Sequence, residues 1–301
     1  PTQGLVFLQV GIITPETRYA CYGGYPPLGG RPRCHAHASP TSVQYAITTS
    51  CNSFFCYGLN HMLSNRSKYT NVGEAFDVWR DYMVDMGFGY PLGVDLPSEK
   101  RGFIPNSKFY SNVFRTERWN AHNIISIAIG QGEILATPLQ IANLGAMIAN
   151  RGYYYTPHVV KERKGQALES TYTTRHESGI NREYFELTVD GMADAVSYGT
   201  ARGINLQPHV EVCGKTGTAE NPHGDDHSLF LGFAPKDNPK VAIAVLVENG
   251  RFGATNAVPV ARLMLQKFFM GEVPESDKWL ETMIINREIL PYVYTRNLPV
   301  N

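Results

Sequence analysis

Residues 213–220 read Cys-Gly-Lys-Thr-Gly-Thr-Ala-Glu (CGKTGTAE). The apolar approach from Val210 predicts a strand over 210–217, running into the polar loop 219–227. Two further strand-like runs follow at 228–234 and 240–248, separated by the turn residues Asp237, Asn238 and Pro239. The stretch 257–269 then returns to helical spacing. These runs predict an antiparallel sheet carrying Lys215-Thr216-Gly217 on its first strand, with a helix after its last.

Upstream of the sheet the pattern is helical. Residues 184–196 have an amphipathic spacing, and 139–150 follow the helix-start pair Thr137-Pro138. Residues 74–86 (EAFDVWRDYMVDM) read as a helix stopped by Gly87. Residues 41–67 read helical, with the small polar stretch 48–53 interrupting them, and 1–10 read as the body of another helix. Residues 14–40 and 87–105 are loops by their Pro and Gly content. Helices grouped ahead of an antiparallel sheet define an α+β class.

Composition narrows the function. The chain has 301 residues, with 27 Lys and Arg against 27 Asp and Glu. A net charge of zero argues against a general grip on nucleic acid, whose affinity comes largely from phosphate neutralisation. No apolar run reaches the roughly 18–20 residues of a membrane span. Five cysteines (Cys21, Cys34, Cys51, Cys56 and Cys213) make a poor disulfide framework for a chain of this length.

Lys215-Thr216-Gly217 alone is a weak signal, and Ser50-Cys51-Asn52 alone is weaker, since a serine there reads equally well as a helix cap. Together, about 160 residues apart, they form the Ser-x-Asn and Lys-Thr-Gly elements of the penicillin-recognising serine acyltransferases. Residues 128–140 (AIGQGEILATPLQ), 227–235 (HSLFLGFAP) and 93–105 (GVDLPSEKRGFIP) resemble class B high-molecular-weight penicillin-binding proteins, in particular the penicillin-binding protein 2 type that acts in cell elongation. The resemblance covers most of residues 1–270 and implies a transpeptidase domain over 1–270, followed by a tail at 271–301. The implied fold is that of penicillin-binding proteins and serine β-lactamases, an antiparallel sheet flanked by helices with a helical subdomain.

The resemblance also implies roles. The family nucleophile is the serine of a Ser-x-x-Lys tetrad, and the pattern at the start of this chain implies that the tetrad lysine directly precedes Pro1. This piece alone is therefore expected to be inactive, while the parent protein acylates. A serine hydroxyl is a weak nucleophile and needs an adjacent base. Lys215 lowers the pKa of the tetrad lysine and attracts the substrate's terminal carboxylate. Ser50 relays a proton to the departing amine, and Asn52 binds a substrate amide. Thr216 and Thr218 offer hydroxyls to the carboxylate, and the Thr218 N–H contributes to the oxyanion hole. Gly217 leaves the strand edge bare for an extended peptide. The implied partners are peptidoglycan stem peptides, β-lactams and a membrane-bound elongation machinery, with the domain on the periplasmic face of the inner membrane.

Cys21, Cys34, His37 and Cys51 form a Cys₃His set suited to structural zinc, with no cofactor needed for the chemistry. An extended Ser50-Cys51-Asn52 segment would turn Cys51 away from the cleft that Ser50 and Asn52 face, so that the metal braces the segment from behind. Some members of the resembled family have a comparable metal loop. A Cys21–Cys34 disulfide and free thiols are the other readings, and His35 is an alternative ligand to His37. Cys56 and Cys213 read as core residues. His227 either lines the cleft or lies on the surface, and Asp225 and Asp226 read as solvated loop carboxylates. The alternative functions are a β-lactam sensor and a serine β-lactamase. A zinc hydrolase is disfavoured because four protein ligands leave no open metal position.

Overall fold

The apolar run Leu5–Leu8 forms the centre of helix α1 (Thr2–Gln9) in a computed structural model that describes residues 1–162 and 164–289. The chain divides into two compact units, Pro1–Gly191 and the residues from Met192 onward, and each is described by itself.

In the first unit α1 is followed by α2 (Val43–Thr49), α3 (Asn52–Ser64), α4 (Val72–Asp85), α5 (Ser107–Phe114), α6 (Pro138–Ala149), α7 (Ser170–Thr173) and the first part of α8 (Arg182–Ser197). Strands β1 (Tyr153–Tyr155) and β2 (Arg175–Glu177) pair as an antiparallel ribbon. Local chemistry sets the helix starts. Ser42, Asn71 and Asn106 each accept a hydrogen bond from an N–H in the first turn of α2, α4 and α5. Thr137 and Gln140 form a capping box at α6, with Pro138 in its first turn. The buried Gln140 amide also donates to the carbonyls of Tyr90 at 2.9 Å and Arg101 at 3.0 Å, which fastens the loop at 87–105 to α6.

The core of this unit lies where α1, α3 and α4 meet a 3-10 helix, Ala121–Ile129. Phe76 stacks on Trp79 with ring centroids 5.0 Å apart and meets Tyr110 edge-on at 5.3 Å. Gln3 is the polar bracket of this core. Its Oε1 accepts from the Trp79 indole at 2.7 Å and its Nε2 donates to the Ile127 carbonyl at 2.7 Å, so each buried amide atom is paired. α1 and α3 approach closely because residue 58 is glycine: a Cβ there would sit 2.4 Å from the Phe7 ring.

In the second unit, β3 (Cys213–Ala219), β4 (His227–Ala234) and β5 (Val241–Val247) form an antiparallel sheet in that order. α9 (Ala257–Met270) packs Ala257, Val258, Ala261 and Leu265 against Phe230, Ile243 and Val245. Burying a side chain such as Leu265 contributes about 1.5–3 kcal/mol. α10 (Lys278–Ile285) follows. The described part of the expected 271–301 tail packs on α9. Asp277 accepts from Arg262 at 2.5 Å and from Gln266, and Arg287 donates to the Thr255 carbonyl at 3.0 Å. The rest of the expected tail lies outside the described residues. Among the described residues no helix is long and apolar enough to cross a membrane.

Replacing Gly58 by Ala should destabilise the fold by about 1–3 kcal/mol, the usual range for overpacking a tight helix contact. Urea unfolding of the variant beside the unaltered chain measures this, and an unchanged midpoint would show that α1 and α3 separate freely.

Candidate active site

Ser50, Cys51 and Asn52 form the junction between α2 and α3. Ser50 ends α2 in the left-handed region, with φ 57° and ψ 48°. A non-glycine residue there costs about 1 kcal/mol or more and persists only where its surroundings hold it. Here the N–H of Cys51 returns to the Ala46 carbonyl at 3.0 Å, closing the end of α2. Cys51 is extended and is the N-cap residue of α3, and Asn52 opens that helix. The triplet is thus a helix–turn–helix junction and not the extended segment expected. Its Cys51 and Asn52 side chains both reach one loop. The Asn52 amide donates to the Arg33 carbonyl at 2.7 Å, and the Cys51 sulfur lies 4.0 Å from that of Cys34.

That loop is a tight hairpin. Tyr25 N–H bonds to the Pro32 carbonyl at 3.2 Å and Cys34 N–H to the Gly23 carbonyl at 3.0 Å. Gly24 is required in it, since a Cβ would stand 2.0 Å from the Gly30 carbonyl oxygen. The hairpin brings Cys21 and Cys34 to His37 and Cys51, and the four ligand atoms lie within 4.8 Å of one another. His35 is exposed and stands outside this set. None of the five cysteines is in a disulfide, and Cys56 and Cys213 are fully buried in the core.

The donor set fits a metal. Nδ1 of His37 donates to the Ala38 carbonyl at 2.8 Å, so the neutral ring presents its lone pair at Nε2. Nε2 is buried with no hydrogen-bond partner, the kind of orphan a metal ion satisfies. Cys34 carries the thiolate of the cluster. A hydrogen bond from Cys51 lowers its pKa, with further help from the Ser53 N–H at 3.3 Å, while the same pairing raises Cys51. A tetrahedral zinc site with bonds of about 2.3 Å has ligand atoms roughly 3.8 Å apart. The cluster is therefore a modest contraction away from closing.

The Lys215-Thr216-Gly217-Thr218 run belongs to the second unit. It lies on β3, the edge of the sheet, opposite Leu231, Phe230, Leu229 and Ser228 of β4. Lys215 donates to the Thr216 carbonyl at 2.9 Å, and burial pulls its ammonium down to about 8. The Thr216 hydroxyl donates to Thr200 at 2.9 Å, so it is engaged within the unit. Residue 253 lies against β3 and must be glycine, because a Cβ would come within 2.6 Å of the Gly217 carbonyl. Ser228 locks that loop, donating to the Phe252 carbonyl at 2.9 Å and accepting from Ala257 N–H at 3.0 Å.

His227 accepts from Asn249 N–H through Nδ1 at 3.0 Å, and so ties the end of β4 to the turn after β5. Asp225 pairs with Arg251 at 3.1 Å on the surface, and Asp226 accepts from Asn221 N–H at 3.3 Å. Three contributors had no sequence signal: the Arg33 carbonyl that holds Asn52, the Thr200 hydroxyl that receives Thr216, and the Ser228 clasp. The first is a backbone atom, and the other two depend on contacts distant in sequence.

Comparison with known proteins supplies the context. Residues 4–266 match the family model described as the penicillin binding protein transpeptidase domain. The peptidoglycan D,D-transpeptidase MrdA of Acinetobacter baumannii is 35% identical over 238 residues, covering 72% of this chain and 33% of that protein. The crystal structure of Pseudomonas aeruginosa PBP2 in complex with WCK 5153 superposes with a TM-score of 0.77 at 28% identity, covering 92% of this chain and 61% of that one. A chain from a peptidoglycan synthase complex superposes with a TM-score of 0.74 at 28% identity, covering 91% of this chain and 45% of that one. The chain spans about a third of the length of the curated relatives it matches. With a match from residue 4 to residue 266, and with these relatives, the chain belongs to the transpeptidase-domain family of penicillin-binding proteins, in its PBP2-type class B branch.

Proposed function

We propose that this chain is the catalytic region of a peptidoglycan D,D-transpeptidase that cross-links stem peptides through a serine acyl-enzyme during cell-wall elongation. The observation that carries this reading is the family match over residues 4–266, which includes both the Ser50-Cys51-Asn52 junction and Lys215-Thr216-Gly217 on a sheet edge. The acylated serine would belong to the Ser-x-x-Lys tetrad that the family places ahead of Pro1. Its hydroxyl attacks the carbonyl between the two terminal D-Ala residues. The terminal D-Ala then leaves with a proton relayed through Ser50. An amine of a second stem peptide attacks the resulting ester, forms the cross-link amide and returns the proton to the serine.

Each residue's part follows from its surroundings. Lys215, as an ammonium, faces the terminal carboxylate of the donor. Thr216, whose hydroxyl is held by Thr200, and Thr218 stand on the same strand to meet that carboxylate. Asn52 has one amide proton committed to the Arg33 carbonyl, which orients Oδ1 to accept from a donor amide. The edge of β3 pairs with the extended donor, and Gly217 keeps it unobstructed. β-Lactams would enter as donor mimics. Cys21, Cys34, His37 and Cys51 would hold zinc, whose contribution when bound is a structural cross-link between the 21–37 loop and the α2–α3 junction. The protein would work on the periplasmic face of the inner membrane with the elongation machinery, in keeping with the synthase complex among its structural relatives. A β-lactam sensor or a β-lactamase is not favoured, since the matched family model is that of a transpeptidase domain.

The test is to extend the chain upstream by about forty residues, enough to restore a first helix, and incubate it with a fluorescent penicillin. Stoichiometric labelling of a serine four residues before Pro1 that survives denaturation is the expected result. A folded protein that does not label refutes the reading. The labelling rate should fall as pH rises through about 8, because Lys215 is charged below that value and neutral above it. Lys215→Arg, which stays charged, should flatten that limb. The extended protein should also contain one equivalent of zinc. Cys34→Ala should lose the zinc and, by freeing the Arg33 carbonyl, slow labelling by about 10–100-fold. Metal analysis beside labelling rates reads both effects, and a zinc-free variant that labels at the original rate would detach the cluster from catalysis.

A further inference from the structure

Three cysteine sulfurs meet at the α2–α3 junction, and their positions are unequal. The sulfurs of Cys34 and Cys51 lie 4.0 Å apart. Cys34 is partly exposed, whereas Cys51 has no exposed surface and Cys21 is 7% exposed. A reagent arriving from solvent therefore meets Cys34 first and finds Cys51 in contact behind it. Two thiolates on one zinc stand roughly 3.8 Å apart, and the two sulfurs of a disulfide about 2.05 Å. The pair thus needs almost no motion to share a metal, and a closure of about 2 Å to form a bond.

Both backbones are held in place. The Cys34 N–H bonds to the Gly23 carbonyl at 3.0 Å, and the Cys51 N–H to the Ala46 carbonyl at 3.0 Å. From the first turn of α3, the Ser53 N–H donates to the Cys34 sulfur at 3.3 Å. Such a donor favours negative charge on sulfur, the form that attacks an oxidant. A reachable sulfur of this kind, with a second thiol in contact to resolve it, is the arrangement of a redox-sensing pair. Cys56 and Cys213 are fully buried and stand outside the cluster. The pair is also wired to the junction. Cys34 directly follows Arg33 and Cys51 directly precedes Asn52, and the Asn52 amide donates to the Arg33 carbonyl at 2.7 Å. A bond between the two sulfurs therefore pulls on both ends of the hydrogen bond that orients Asn52.

We infer that Cys34 and Cys51 form a redox modification site, which a peroxide closes to a disulfide that expels any bound metal and displaces Asn52. The Cys34 sulfur attacks one peroxide oxygen, the O–O bond breaks, and Cys34 becomes a sulfenic acid. The Cys51 sulfur then displaces the sulfenic hydroxyl, which leaves with the Cys51 proton as water. In total two thiols lose two electrons and two protons, and one peroxide becomes two waters. Cys21 and His37 remain, two ligands where structural zinc needs four. The effect on acylation rests on the transpeptidase reading, and the formation of the bond does not.

In the experiment the upstream-extended protein, reduced and supplied with zinc, is treated with hydrogen peroxide. Its remaining thiols are alkylated, and it is digested without reduction for mass spectrometry. The expected product joins the peptides that hold Cys34 and Cys51, with Cys21, Cys56 and Cys213 alkylated. A chromogenic chelator should read zinc released in step with the disulfide. Labelling with fluorescent penicillin should slow by about 10–100-fold, the usual cost of a misplaced active-site group, and dithiothreitol with added zinc should restore it. Cys51→Ser should stop the reaction at a Cys34 sulfenic acid that dimedone traps, and thermal melting checks that this variant is folded. The mapping in the unaltered protein decides the matter even if the variant does not fold. A disulfide through Cys21, or a Cys34 that stays alkylatable after peroxide, overturns the inference, as does a Cys34–Cys51 disulfide that leaves labelling at its original rate. Reduced protein that fails to label refutes the transpeptidase reading instead, a result distinct from the mapped bond.

Discussion

The hydrogen bond from the Asn52 amide to the Arg33 carbonyl is the central one of a set that joins the irregular part of the first unit to its helical part, beside Ser53 N–H to the Cys34 sulfur and the Tyr19 hydroxyl against His61. On one side of it lies a hairpin rich in Pro and Gly that buries Tyr25 and Cys21. On the other lies the α2–α3 junction, packed into the core through Cys51, Phe54 and Phe55. The Cys34–Cys51 contact runs beside that bond, so the loop is fixed to the junction at two adjacent points. The strained Ser50 backbone becomes affordable here because neighbouring residues are held from two directions. Burial of Tyr25 and the packing of Tyr19 on Phe54 and Tyr57 offset part of the loop's ordering entropy, and a metal-type donor set would add a further cross-link.

Much of the fold was legible because its signals are local. α4 and α6 were readable from apolar spacing and cap chemistry, and their bounds moved by only a residue or two. The hairpin of β4 and β5 was readable from its turn residues. β3 begins at Cys213 and not at Val210, because Val210 closes a small bridge with Leu206 before the ladder starts. The β1–β2 ribbon had no local signature: its two three-residue strands pair across an intervening connection longer than either strand. α5 has little local signal beyond its cap, Asn106, which follows directly on the Pro- and Gly-containing stretch 87–105.

The site shows the same division. Residue type and spacing were enough to propose Cys21, Cys34 and Cys51 as one group, but two histidines two residues apart gave no way to choose between them. The choice depends on which ring the hairpin turns inward, and that is set by backbone geometry around Cys34 and Ala38. The junction was misjudged for a related reason. The triplet carries no strong propensity of its own, and the helices on either side impose a left-handed turn at its first residue. Partners that are backbone carbonyls, such as that of Arg33, leave no mark in a sequence.

β3 has a further consequence as the terminal strand of its sheet among the described residues. Protein sheets usually blunt such borders with prolines, bulges or cover, because an open row of backbone donors and acceptors will pair with any extended chain it meets. A strand that receives a peptide, as proposed for β3, could not use those devices. Its remaining protection is composition: a charge at Lys215, no side chain at Gly217, and threonines in place of large apolar groups. On that proposal, enlarging either position with an apolar residue would do two things at once, impairing peptide pairing and inviting self-association of partly folded chains, and the same seven residues would serve both solubility during folding and recognition of substrate.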